Sequence, residues 1–434
     1  MGVDTNGKNN IAERYEECVA YMKNENEYKT KSTAFTRKRK LGFEEIFIGI
    51  LSSLKKTLVL ELESLLKKLK KQNMEYSKQA YSKARQNISP KAFKKLNETI
   101  KEDLYAKDKK TYKGYRVTAI DGSAVELPNT KEIKEKYGVF KEGTPNAAGK
   151  VHVIYDVRNE IVIDGILGKY KESEQDNAIK LIKENIKPEE KELILFDRGY
   201  PAVRLIKELN EVKAKYIFRV NSRFLREVNE FTQGKETDKT IEINIDDKRL
   251  EEKSISNISE AIKFNLRCVR IKIESGDEIL ITNLSEEEAN LEELCELYNS
   301  RWGIEKNYNI MKNVLEIENF TGDTEIAIQQ DFYATIVLAN LTTALIRDAQ
   351  QEYEAKKKSN KKYEYKINKT IAIGYLKTEM LEIFLEEDEV VCSKLWDKLI
   401  KKISKHIIPI RNNRKFARPT GHRPKYGRTA KKVL

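Results

Sequence analysis

Residues Leu193-Ile194-Leu195-Phe196 form an unbroken apolar run that Asp197 closes, and no other stretch limits the fold as much. A strand with one wet face alternates apolar and polar side chains. Four apolar residues in a row fit a central strand covered on both faces. Helical pattern flanks the run: Ser173 to Asn185 precedes it, and behind it Gly199 permits a turn and Pro201 stands near the start of another helix. Upstream, Val117, Ala119 and Asp121 alternate with Thr118 and Ile120, as in a strand. Val151 to Val157 and Ile161 to Ile166 give two more strands with a tight turn near Asn159, and Tyr216 to Val220 gives a fifth.

Three strands, helix, strand, helix, strand is the order of a ribonuclease-H-like α/β core. Ile241 to Ile245, Phe264 to Ile273 and Glu278 to Leu284 then alternate with period two, and Ser275-Gly276-Asp277 signals a turn. These predict a β-rich insertion over about 221–284. Before the core, residues 1–112 are helical in pattern, with Phe47, Ile50, Leu51 and Leu54 at spacings of three and four. Phe43 to Leu66 predicts one amphipathic helix or two, and Ser77 to Leu104 a helical stretch broken at Ser89-Pro90. After Leu284, one helical stretch runs from Glu287 past Leu315, and others cover Ile326 to Tyr353 and Ile371 to Leu385. The expected division is an all-α N-terminal domain (1–112), a catalytic domain (113–355) and a helical C-terminal region (356–434) with a basic tail.

The chain carries 82 Lys and Arg against 69 Asp and Glu, a net charge of +13. Such a surplus favours a polyanionic partner, because each neutralised phosphate releases counterions. The positive charge is concentrated in two places: Arg37-Lys38-Arg39-Lys40, and Arg411 to Leu434 with nine Lys or Arg and no acid. The four cysteines lie far apart, without a C-x-x-C pair, and there are three histidines. Neither a disulfide framework nor a zinc site is indicated, and the expected location is a reducing cytoplasm. No apolar stretch is long and uncharged enough for a membrane span.

Asp121 lies in or at the end of one strand, in Ile120-Asp121-Gly122-Ser123, and Asp197 closes another, in Phe196-Asp197-Arg198-Gly199-Tyr200. A carboxylate among apolar neighbours costs several kcal/mol unless it is paired or binds metal. Either aspartate alone also fits a turn, where it caps the following backbone. Two on neighbouring strands point to a site, because α/β sheets bind ligands at strand ends. Tyr298, Arg301, Glu305 and Lys312 are spaced so that one helix carries them within about 60° of one another. Leu297, Ile304, Tyr308, Met311 and Leu315 form the adjoining apolar stripe. The stripe would face the sheet and offer it a carboxylate flanked by two cations and a phenol. A solvated charged face with an Arg301–Glu305 pair would show the same spacing.

The run from Tyr298 through Arg301 and Glu305 to Lys312 resembles the Y-(2)-R-(3)-E-(6)-K signature of the insertion sequence 4 family of DDE transposases. Ile-Asp-Gly-Ser at Asp121 and Asp-Arg-Gly-Tyr at Asp197 are similar to that family's first two acidic blocks, and the long gap before Glu305 matches its β-strand insertion. The resemblance runs from about Phe35 to Arg428. It implies a ribonuclease-H-like transposase that cleaves terminal inverted repeats and joins the 3′ ends to target DNA by cut-and-paste, through a hairpin intermediate. Asp121, Asp197 and Glu305 would ligate two Mg²⁺ ions, with Mn²⁺ as a substitute. Tyr298, Arg301, Lys312 and Arg198 would contact DNA at the cut, and Arg37 and Arg39 elsewhere. The implied partners are double-stranded DNA and a second copy of the chain in the DNA complex, in a bacterial nucleoid. An aromatic residue of the insertion would hold a flipped base, with Phe218, Phe224 and Phe231 as candidates, while Trp302 is expected to pack. The same residues would also suit a nuclease of this fold without strand transfer, or an inactive DNA-binding descendant.

Overall fold

A computed structural model of the 434-residue chain describes residues 10–37, 39–141, 146–246, 249, 261–273, 276–356, 363–386 and 388–411. The basic tail beyond Arg411, Lys38 of the basic block and Ser275 of the predicted turn lie outside them. The helices are α1 (Asn10–Asn24), α2 (Phe43–Leu51), α3 (Leu58–Lys68), α4 (Lys78–Arg85), α5 (Lys91–Lys107), α6 (Lys131–Tyr137), α7 (Glu174–Asn185), α8 (Val203–Glu211), α9 (Arg226–Gln233), α10 (Leu291–Ser300), α11 (Trp302–Asn313), α12 (Glu325–Ala355), α13 (Lys369–Phe384) and α14 (Glu389–Ile403). The strands are β1 (Arg116–Glu126), β2 (Ala148–Asp156), β3 (Ile161–Lys169), β4 (Glu192–Phe196), β5 (Lys215–Val220), β6 (Asp238–Ile245), β7 (Ile262–Ile273), β8 (Gly276–Thr282), β9 (Tyr365–Ile367) and β10 (Ile407–Pro409).

The chain forms two compact units, one of residues 1–108, 127–133 and 310–434, the other of residues 109–126 and 134–309. In the first, α12 packs against α5, α2, α13 and α14. A buried polar network holds α4 to α12. Arg85 donates to Gln330 Oε1 at 2.9 Å, Thr321 Oγ1 at 2.6 Å and Asp331 Oδ1 at 3.1 Å. Gln330 returns two hydrogen bonds, to the carbonyls of Arg85 and Ile88. Lys55 Nζ stands 4.0 Å from Asp331, so one buried carboxylate faces two cations. The C-terminal region is not purely helical as expected: β9 and β10 pair into a small antiparallel sheet. Three-residue strands fall below what an alternating pattern can reveal.

The second unit is built on an eight-stranded mixed sheet in the order β3-β2-β1-β4-β5-β8-β7-β6. β1, β4 and β5 run parallel, and β2 and β3 continue antiparallel from β1. The apolar run at Leu193 is β4, wholly buried between its two parallel neighbours. One face carries a core that includes Ile120, Ile154, Ile194, Phe196 and Phe218 with Ile179 and Ile182 of α7 and Leu205, Ile206 and Leu209 of α8. Phe196 stacks on Phe218 with ring centroids 4.4 Å apart. The insertion is β-rich as expected, with one helix that the sequence did not suggest. This is α9, whose Val228 and Phe231 join this core. Its strands also extend the main sheet, with β8 pairing antiparallel to β5 from Ile217↔Thr282 to Val220↔Ile279.

Candidate active site

β4 ends before β1 does. The parallel ladder stops at Ala119↔Leu195, and Asp121 and Asp197 each lie two residues further on. Alternation therefore puts both on one face, where β4 gives way to a turn. Asp121 Oδ1 accepts the Gly122 N–H at 2.8 Å, and Asp197 Oδ1 accepts the Gly199 N–H at 2.8 Å. Each aspartate therefore bonds nearby backbone, Asp197 in a turn as that reading requires and Asp121 inside β1, with acceptor capacity to spare.

The third acid comes from α11. The sequence predicts one helix through this region, but the structure divides it at Arg301, where backbone bonds reach only three residues, from Arg301 N to Tyr298 O and from Ile304 N to Arg301 O. Arg301 keeps right-handed helical angles, so the side-chain arrangement survives the joint. Its Nη2 donates to Glu305 Oε1 at 2.8 Å, and its guanidinium lies 5.7 Å from the Tyr298 ring centroid and 5.6 Å from that of Trp302. Trp302 does not pack inside as expected; it is 44% exposed. The apolar stripe of Leu297, Ile304, Tyr308, Met311 and Leu315 is buried throughout. Tyr308 uses its hydroxyl as well: it donates to the Asp121 carbonyl at 2.6 Å.

Electrostatics tie these groups together. Burial pushes the Asp121 carboxyl up to about 7; the Gly122 N–H opposes this, Asp197 and Glu305 push it further up, and Arg301 opposes. Burial works against the Arg301 charge, yet Tyr298, Glu305 and Asp121 raise its pKa. Two acids and one buried cation thus act on the Asp121 carboxyl. Beneath Gly122, His152 is fully buried with both ring nitrogens unbonded among the described residues, and burial, then Lys150, hold its pKa down at about 4. A side chain at position 122 would meet that ring at 2.9 Å, which explains the glycine.

The other predicted residues are distributed as follows. Arg198 is exposed in the turn after Asp197, and Lys312 is partly buried in the last turn of α11. Arg37 and Arg39 are exposed and belong to the first unit. Phe218 and Phe231 are buried in the sheet core, and Phe224 is partly buried against it. Sequence reasoning missed the Tyr308 hydroxyl, read only as apolar, and Tyr200 beside the acids; a tyrosine among apolar residues gives no signal of where its oxygen goes. Among the described residues, no group of three or more His, Cys, Asp or Glu side chains is arranged to hold a metal ion as it stands. Glu305 is engaged by Arg301 instead. The donors are all carboxylate oxygens, the type that hard divalent cations take.

No curated protein matches the chain. Among solved structures it is similar to a piggyBac transposase synaptic complex with hairpin DNA, at 11% identity over 94% of this chain and 84% of that one, with a TM-score of 0.46. The family described as Transposase DDE domain matches residues 112–341, a span that holds Asp121, Asp197 and Glu305. Since that match covers more than half of its length, the chain belongs to the DDE transposase family.

Proposed function

We propose that the protein is a DNA transposase of the insertion sequence 4 kind, with Asp121, Asp197 and Glu305 as its catalytic acids on a ribonuclease-H-like core. The observation that carries this reading is the in-register placement of Asp121 and Asp197 beyond the last β1–β4 pair, with Glu305 acting electrostatically on Asp121. The strand order, with antiparallel β3-β2-β1 beside parallel β4-β5, supports the core assignment.

The three carboxylates would hold two Mg²⁺ ions, or Mn²⁺ in their place. Bound there, the ions supply positive charge beside the attacking and leaving oxygens of a phosphodiester. Asp121 favours such a cation, since its carboxyl is held near neutral pKa by burial and by its acidic neighbours. Arg301, stacked between Tyr298 and Trp302, would direct its guanidinium fork to a phosphate beside the cut. Tyr298, Lys312 and Arg198 would grip the backbone on either side. The reaction would begin with water at the element end; the freed 3′ hydroxyl would attack the opposite strand, closing a hairpin and releasing the flanking DNA, and a second water would open the hairpin so that the regenerated 3′ hydroxyl could attack target DNA. The N-terminal helical segment with Arg37 and Arg39, and the basic tail, would add phosphate contacts, and a second copy would complete the DNA complex.

The test is to incubate the purified protein with the inverted repeats flanking its own reading frame and Mg²⁺. Hairpin ends and joined products are expected from the wild type, with none from Asp121→Asn. Cleavage without hairpin or joined products would replace this reading with that of a hydrolytic nuclease.

A further inference from the structure

Glu174 opens α7, directly after the capping Ser173, and nothing in its sequence context marks it. In the structure it reaches the turn that carries Asp197. A Cβ built on Gly199 would stand 3.2 Å from Asp197 Oδ1 and 3.3 Å from Glu174 Oε2. The two oxygens are therefore no farther apart than the sum of those distances. Lys150 of β2 holds the other oxygen of Glu174 at 3.0 Å. A second observation comes from Tyr200. Its hydroxyl is fully buried, has no hydrogen-bond partner among the described residues, and lies 3.4 Å from the Cβ position of Gly122. Burial first, then Asp121, Tyr308, Glu174 and Asp197, raise the pKa of that hydroxyl, so it stands among these acids.

We propose that Glu174 is a fourth carboxylate of the site, occupied by Lys150 until a divalent cation displaces that lysine, and acting with Asp197 in divalent-cation binding. This rests on the transposase reading above. Two ions about 3.5–4 Å apart, each about 2.1 Å from its ligands, are spanned by oxygens up to about 8 Å apart. The Glu174–Asp197 separation falls inside that span. An acid that merely complements a helix N-terminus would interact with the helix dipole and leave cation affinity untouched.

The probe is Mn²⁺ alone, titrated into the full-length protein without DNA, with free Mn²⁺ read by electron paramagnetic resonance. Glu174→Gln should weaken binding about ten-fold or remove one of the ions, with the melting temperature in the absence of Mn²⁺ unchanged. Asp176→Asn, on the same helix and paired to Arg204 at 2.7 Å, should bind like the wild type. Lys150→Met removes the competing cation and should tighten binding. Wild-type affinity in Glu174→Gln, alongside weakened binding in Asp197→Asn, would overturn this inference alone. Wild-type affinity in both variants would overturn the transposase site as well.

Discussion

The hydroxyl of Tyr308 donates to the backbone carbonyl of Asp121 at 2.6 Å and lies 3.2 Å from the carbonyl of Val151. One phenol thus pins α11, which carries Glu305, to the backbone of the strand that carries Asp121 and to the strand beside it. Tyr308→Phe keeps the ring and leaves a buried carbonyl short of its donor, at a cost of about 1–3 kcal/mol. Urea denaturation should show that loss. Single-turnover cleavage should fall more steeply than the lost folded fraction explains, because the acids lose their common tether. A variant as stable and as fast as the wild type would show that the tether is idle.

Asp121 should make stability depend on pH in a direction opposite to an ordinary surface acid. Its folded-state pKa of about 7 lies above the unfolded value of ~4, so the native state keeps a proton that the unfolded chain has lost. Stability should therefore fall as pH rises from about 4 through about 7. Asp121→Asn removes the charge and should be more stable than the wild type by ~1–3 kcal/mol at pH 8 without divalent cations, and equal to it near pH 4. The same variant should not cleave DNA. Melting curves across this range that run parallel for the two proteins would show that Asp121 is ionised without penalty.

Arg301 is nearly buried, bonded to Glu305 and flanked by two rings. Arg301→Ala should lower cleavage of a pre-bound repeat by at least ten-fold, the worth of a charge-assisted bond of roughly 1.5–3 kcal/mol. Arg301→Lys should not rescue it, because a point charge replaces a planar fork that stacks. Rescue by lysine would mean that only the charge counts.

Asp331 anchors the other unit. Burial pushes its carboxyl up, but Lys55, Arg85 and Thr321 outweigh this and hold it below the ordinary carboxylate range. Its stabilisation is present above the unfolded value of ~4 and is lost as pH falls through the lower folded value. Asp331→Ala leaves Arg85 and Lys55 buried without their counter-charge, at a cost of about 3–5 kcal/mol. Urea titration at neutral pH should show this, and a loss below ~1 kcal/mol would mean that water replaces the carboxylate.

The core strands were legible because burial on both faces leaves its mark in composition: β4 reads as apolar at each position from Leu193 to Phe196. Asp121 and Asp197 stood out as acids beside apolar strand residues, the first inside β1 and the second just past the end of β4. The joint at Arg301 did not, since its neighbours keep helical periodicity across it and the break lies only in which carbonyls the backbone bonds. The exposure of Trp302 was misread because indoles are usually buried, while here an arginine covers one face and no core covers the other. The α9 helix was hidden inside an interval dominated by alternating strands. Glu174 was invisible for a different reason: its proximity to Asp197 depends on how a helix start meets a turn, and short-range pattern carries no record of that.

The pairing of β8 with β5 has a consequence for engineering. The segment between β5 and α10 looks like a removable module in the sequence, yet its last strand covers the flank of β5 along four residue pairs. Excising it would turn an interior strand into a raw edge whose unpaired N–H and C=O groups invite other chains. Val220, Ile217 and Phe218 would lie along that edge, an apolar template for self-association. A trimmed variant would need a charged or proline-capped β5 to resist self-association through that edge, so the detour in the chain also serves as a guard for β5 against aggregation.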